Sequence, residues 1–142
     1  FGNAELEILD NIVIKSANTN NIGDWISVFC EAFQSEKWNR EINRVVIATL
    51  DKILFYLAYY DTKLVGCVAL LPTKGLLGLY CLGILTKYRG KGVGTALIAK
   101  AAAIASKKKL LLYLQTFMTD GLIDFYQKLG FTETYVKEIW SK

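Results

Sequence analysis

Leu76-Leu77-Gly78-Leu79-Tyr80-Cys81-Leu82-Gly83-Ile84-Leu85, followed by Tyr88-Arg89-Gly90-Lys91-Gly92-Val93-Gly94-Thr95, decides how this chain folds. The first run is uncharged and of strand length. After the second, Leu97, Ile98, Ala101, Ile104 and Ala105 recur at helical spacing as far as Ser106. Strand, glycine-rich turn and helix together offer backbone N–H groups and the positive end of a helix dipole to a phosphate. Glycines at 90, 92 and 94 let the backbone approach an anion without Cβ obstruction, and Arg89 and Lys91 add positive charge. The stretch reads as a diphosphate cradle.

Two familiar phosphate loops do not match it. A P-loop requires G-x-x-x-x-G-K-[ST], whereas Lys91 lies between glycines and no Gly-Lys-Ser/Thr follows. A dinucleotide fingerprint requires G-x-G-x-x-G and an acid about 20 residues on, but here the glycines fall at every second position and the next acid is Asp120. Arg89-x-x-Gly92-x-Gly94 instead resembles the Q/R-x-x-G-x-G/A signature of the GNAT superfamily of acyl-CoA N-acyltransferases. Leu82-Gly83-Ile84 before it and Phe125-Tyr126-Gln127-Lys128-Leu129-Gly130-Phe131 after it extend the resemblance over roughly the second half of the chain.

Working outward, 142 residues suffice for one domain that buries about two-thirds of its unfolded surface. Hydrophobic residues make up 53% and proline occurs once, which argues against disorder. The uncharged run between Lys74 and Lys87 is too short to cross a bilayer, and no signal peptide opens the chain, so a cytoplasmic protein without membrane partners is expected. Three cysteines, Cys30, Cys67 and Cys81, all lie in apolar patterns and are expected to be buried free thiols. The absence of histidine excludes His-based metal sites and triads, and no metal is expected.

The net charge of +4 is unevenly spread. Nine basic residues and no acid fall between Asp61 and Asp120, a field that would draw in a polyanion such as coenzyme A. No nucleic-acid motif accompanies it, so no nucleic-acid partner is expected.

In chain order, Ile8–Ile14 is expected to be the first strand, Asn18 to Asn21 a turn and capping cluster, and residues 21–34 an amphipathic helix carrying Ile22, Trp25, Ile26, Phe29, Ala32 and Phe33. Trp25, Phe29, Phe33 and Trp38 could line an acceptor pocket, but helix spacing places the first three in the core, whereas Trp38 falls off the pattern and is the more open case. A second helix is expected at about 40–51. Ile53–Tyr60 and Leu64–Leu71 form a hairpin around Asp61-Thr62-Lys63, and residues 76–85 form the strand entering the cradle. Leu110–Phe117 reads as a buried strand, Thr119 as the cap of a helix through Leu129 that Gly130 stops, and Phe131–Trp140 as a last strand. The fold class is mixed α/β in the order β-α-α-β-β-β-α-β-α-β, the GNAT arrangement, as a single N-acetyltransferase domain over 1–142.

The resemblance implies acetyl-CoA as co-substrate and a primary amine, small or on a peptide or protein, as acceptor. Direct attack in a ternary complex is implied, without a covalent enzyme intermediate. Arg89, Gly90, Lys91, Gly92, Val93, Gly94 and Thr95 would hold the pyrophosphate through backbone N–H groups and the Thr95 hydroxyl. The pantetheine would lie along Leu82, Gly83 and Ile84, with a backbone N–H there facing the thioester carbonyl. Gly83 fits that close approach, and equally fits ordinary packing. Tyr126 matches the tyrosine that often protonates the leaving thiolate. Thr119 falls where many members carry asparagine, so a hydroxyl replaces an amide in contacting the cofactor.

No acid occurs in 76–85, leaving Glu31, Glu36 and Asp61 as candidates to take the amine's proton. The acceptor wall is expected from residues 25–45 and the last hairpin. Two other readings remain: Cys81 as an acyl carrier, disfavoured because a strand cysteine among leucines is usually inert, and a non-catalytic acyl-CoA-binding sensor. A homodimer is a possible assembly.

Overall fold

The structure is a computed structural model that describes residues 11–115, 132–133 and 139–141. In chain order it has β1 (Ile12–Ala17), α1 (Ile22–Ala32), a 3-10 turn (Glu36–Trp38), α2 (Asn39–Ala48), β2 (Leu54–Tyr60), β3 (Lys63–Thr73), β4 (Leu76–Ile84), a second 3-10 turn (Thr86–Tyr88), α3 (Val93–Lys108), β5 (Leu111–Gln115), β6 (Thr132–Glu133) and β7 (Ile139–Ser141). One sheet carries all the strands in the order β1-β2-β3-β4-β5-β7-β6. The neighbours are antiparallel except β4 and β5, which run parallel because α3 carries the chain back between them. This is the mixed α/β sheet expected from the order of apolar runs.

Period-two alternation, interrupted once where β3 shifts register against β2 beside Val65, divides the side chains between two cores. Val65, Val68 and Leu70 of β3 and Leu77 and Leu79 of β4 pack with Leu97, Ile98 and Ala101 of α3 on one side. Phe55, Leu57, Cys67 and Ala69 pack with Trp25, Ile26 and Val28 of α1 on the other. Trp25 is 1% exposed, stacks on Phe29 at 5.2 Å, meets Phe55 edge-on at 4.8 Å, and donates its indole N–H to the Val68 carbonyl at 3.0 Å.

Several boundaries differ from the sequence reading. The first strand, expected at Ile8–Ile14, is described over Ile12–Ala17, and residues 8–10 lie outside the described residues. Pairing of its backbone with β2 carries it through exposed Lys15 and Ser16, which an apolar pattern does not include. Asn21 caps no helix through its side chain; its Oδ1 accepts from the Asn18 N–H at 2.6 Å and closes a turn instead. The last strand, expected to be continuous over Phe131–Trp140, is two short strands that pair antiparallel, Thr132 with Ser141 and Glu133 with Trp140. Alternating polarity alone does not show that reversal. The helix expected from Thr119 to Leu129 lies outside the described residues.

Candidate active site

The site begins with an irregularity in β4. Cys67 of β3 pairs with Gly83, and Ala69 with Tyr80, so Val68 alone faces Cys81 and Leu82. This is a β-bulge, and Cys81 takes a left-handed φ of 58° to make it. Cys67 donates its thiol to the Cys81 carbonyl at 3.6 Å, and Val68, opposite the bulge, is the residue Trp25 holds. The core of α1 therefore fixes the bulge from below.

On its other edge β4 pairs with β5 only from Leu76–Leu111 to Leu79–Leu114. The described residues of β5 end at Gln115, one position beyond that last pair. Leu82, Gly83 and Ile84 follow the bulge at the end of β4 that leads into the glycine-rich loop. Gly83 also has a packing reason: a Cβ would lie 2.6 Å from Phe33 Cε2 and 3.1 Å from Ala32 Cβ.

The chain then turns through Thr86–Tyr88 into the loop. Gly90 has φ 78° and Gly92 φ 89°, the left-handed region that side chains disfavour. Gly92 is the N-cap of α3, and its carbonyl accepts the Ala96 N–H at 3.0 Å. The N–H groups of Val93, Gly94 and Thr95 thus precede the first helical bond and have no acceptor within the helix. No acid occupies the first turn, so the positive end of this 16-residue helix is not neutralised there. The Val93 side chain is buried against the core, leaving its backbone as the part a ligand can use. Lys91 lies 5.8 Å from the Tyr60 ring centroid, and Tyr60 lies 5.7 Å from Tyr88. Arg89 is partly engaged already: its Nε donates to the Ile84 carbonyl at 3.1 Å, tying the loop to the end of β4.

Residues 51–133, more than half of the chain, match the model of the acetyltransferase (GNAT) domain family. The chain belongs to the GNAT acetyltransferase family. The GNAT domain is 25% identical over 158 residues to an uncharacterized N-acetyltransferase of Methanocaldococcus jannaschii, covering 97% of this chain and 70% of that one. In fold it is similar to the PaiA N-acetyltransferase of Thermoplasma acidophilum, solved with coenzyme A, at TM-score 0.72 and 24% identity over 92% of this chain and 96% of that one. It is also similar to Arabidopsis thaliana Naa50 in complex with the bisubstrate analogue CoA-Ac-MVNAL, at TM-score 0.66 and 24% identity over 93% and 98%. The chain spans 47% of the length of one further protein of this fold, a putative acetyltransferase of Pyrococcus horikoshii at TM-score 0.72 and 18% identity over 93% of this chain.

The structure brings together Leu82, Gly83, Ile84, Arg89, Gly90, Lys91, Gly92, Val93, Gly94 and Thr95 at one end of β4 and α3 of the GNAT domain. Thr119 and Tyr126 lie outside the described residues. Glu31, Glu36 and Asp61 are all exposed. Among the described residues no cluster of His, Cys, Asp and Glu has the makings of a metal site, and no helix is long and apolar enough to cross a membrane.

Two expectations are corrected. Phe33 is not core but 47% exposed, because α1 ends at Ala32 and Phe33 is its C-cap, turned over Gly83. Trp25 is core and Phe29 half-buried, while off-pattern Trp38 is exposed. Cys81 is likewise not buried: Cys30 and Cys67 are, whereas the bulge brings Cys81 to the surface. The surrounding protein nevertheless raises the Cys81 thiol above its ordinary pKa by desolvation, and burial raises Cys67 much further. A thiol reagent is therefore expected to modify Cys81 first, Cys30 and Cys67 reacting only on unfolding. Because the thiolate is the reactive form, the Cys81 rate at pH 8 should lie below that of a free-cysteine peptide and approach it as pH rises. Peptide mapping by mass spectrometry across pH checks both points.

The sequence reading missed Tyr80 and Tyr113, whose hydroxyls lie 2.7 Å apart beside the β4 bulge. That hydrogen bond first, then desolvation, pushes the Tyr80 phenol up to about 12, so it stays protonated at ordinary pH and serves as a hydrogen-bonding group rather than a base. Gly78, a glycine inside an apolar strand, was the available signal.

Proposed function

We propose that this domain transfers an acetyl group from acetyl-CoA to a primary amine, by direct attack in a ternary complex, within a single domain over residues 1–142. The observation that carries the reading is that one strand end supplies two things at once. β4 carries a bulge at Cys81 and Leu82 and then leads through the loop into a Gly92-capped helix whose first N–H groups have no acceptor within the helix. Their spacing along the chain suits a ligand with a diphosphate at one end and an amide-bearing arm at the other. Coenzyme A has that shape, and coenzyme A or an analogue of it is bound in the two neighbours of this fold described above.

The residues then divide the work. Backbone N–H groups of residues 90–95, with Thr95 Oγ1, Arg89 and Lys91, hold the diphosphate; Leu82, Gly83 and Ile84 hold the arm and present an N–H to the thioester oxygen as negative charge develops there. The neutral amine nitrogen bonds to the carbonyl carbon, the C–S bond breaks, one proton leaves the nitrogen for solvent, and Tyr126 supplies one to the thiolate and regains it from solvent. Thr119 contacts the cofactor arm by its hydroxyl.

Free thiol released in step with acetylated product, across a panel of primary amines, tests the transfer. Saturating acetyl-CoA is also expected to raise unfolding free energy by about 2.7 kcal/mol at a hundred times its dissociation constant. One observation favours a second reading, a non-catalytic acyl-CoA sensor: among the described residues β4 and β5 carry no carboxylate to accept the amine's proton. Stabilisation by acetyl-CoA with no thiol released from any amine would select the sensor.

A further inference from the structure

Two phenols close over Gly78 on the α1 side of β4. A Cβ at Gly78 would lie 2.6 Å from Tyr80 Cε2 and 2.9 Å from Tyr113 Oη, so the pair fills space that any other residue would claim. The rings meet edge-on at 6.3 Å with their hydroxyls joined at 2.7 Å. Tyr80 is nonetheless 39% exposed. Phe33 lies on the same side, over Gly83, with half of its ring surface open. Tyr80 and Gly83 are three residues apart, roughly 10 Å at the rise of a strand, and the bulge lies between them. An exposed phenyl and a self-paired phenol couple thus flank the bulge of β4.

The strands and the helix end that border this face differ in charge. Among the described residues neither β4 nor β5 carries an acid, and Glu31 and Glu36 are exposed on α1 and the turn after it. A polycation finds no counter-charge on these strands, whereas a flat apolar group finds aromatic surface on two sides.

We propose that Phe33, Tyr80 and Tyr113 form the acceptor slot and that it takes a primary amine carried on an apolar or aromatic group in preference to a polycationic amine. This rests on the acetyl-transfer reading above. The apolar group lies between Phe33 and the phenol pair, and its nitrogen faces the bulge. The phenol oxygens have lone pairs left over from their mutual hydrogen bond to receive the amine's N–H.

Steady-state kinetics of the full chain with 2-phenylethylamine and with spermidine test it. The expected result is a kcat/KM for 2-phenylethylamine at least about tenfold above that for spermidine. Phe33→Ala should lower that value by about tenfold through KM for the amine, with KM for acetyl-CoA unchanged, and Phe33→Leu should restore most of it. A purely structural role would change both KM values together. Tyr80→Phe and Tyr113→Phe should each raise KM for the amine, the double variant little more than either alone, since the two act as a pair. Preference for spermidine, or an unchanged amine KM in Phe33→Ala, overturns the slot while leaving acetyl transfer standing. Thiol release with neither amine also overturns it, and an acetyl-CoA titration of the same sample shows whether the broader reading falls too.

Discussion

Gly92→Val is expected to abolish acetyl-CoA binding while leaving a folded protein. Gly92 has φ 89°, a conformation that costs a β-branched residue about 1–3 kcal/mol or forces the loop to move. Space is not the obstacle, because a Cβ there would meet only Ile12 Cδ1, at 3.8 Å. The fold therefore tolerates the change; the direction of the N–H groups of Val93, Gly94 and Thr95 does not. Arg89→Ala is the contrasting case. It removes one charge and the Nε bond to Ile84, and is expected to weaken binding by about 1–3 kcal/mol, the scale of one charge-assisted hydrogen bond. Calorimetric titration of both variants, with circular dichroism as the check on folding, separates backbone from charge. A folded Gly92→Val protein that binds like wild type would sink the cradle.

Trp25→Ala should be the most destabilising single change considered, at about 3–5 kcal/mol, the usual cost of removing a buried aromatic side chain. Trp25 is 1% exposed and is braced by Phe29 and Phe55. The change also leaves the Val68 carbonyl without the indole donor opposite the β4 bulge. Trp25→Phe retains much of the packing and isolates that hydrogen bond, with an expected loss of about 1–2 kcal/mol for the unsatisfied carbonyl and the smaller ring. Urea denaturation of the three proteins measures both quantities. A loss below about 1 kcal/mol in Trp25→Ala would contradict the central packing role.

What the sequence made legible were features written locally. The period of Ile22, Trp25, Ile26 and Phe29 marks α1, and Asp61-Thr62 marks the β2–β3 turn, with φ 48° and 71°. Gly90 and Gly92 mark the loop because no other residue adopts their conformation cheaply. The bulge left no such trace, since its left-handed residue is a cysteine inside an apolar run. Phe33 was assigned to the core because spacing counts apolar positions but does not show where a helix stops. Tyr80 and Tyr113 are 33 residues apart in sequence and meet only through the parallel register of β4 and β5, which side-chain pattern does not encode. The loop is legible in its glycines, the strand 76–85 that enters it in its apolar run, and a role for Leu82-Gly83-Ile84 only through the family resemblance.

The bulge of β4 has a consequence for how this protein keeps company with itself. A regular strand edge offers a row of evenly spaced amides to any passing strand, which is how aggregation and strand exchange begin. At Cys81 and Leu82 that spacing is interrupted, because two residues stand opposite one and the left-handed turn at Cys81 bends the strand. An extended polypeptide meets a broken ladder there. The irregular residue thereby guards this stretch against becoming a polymerisation seed.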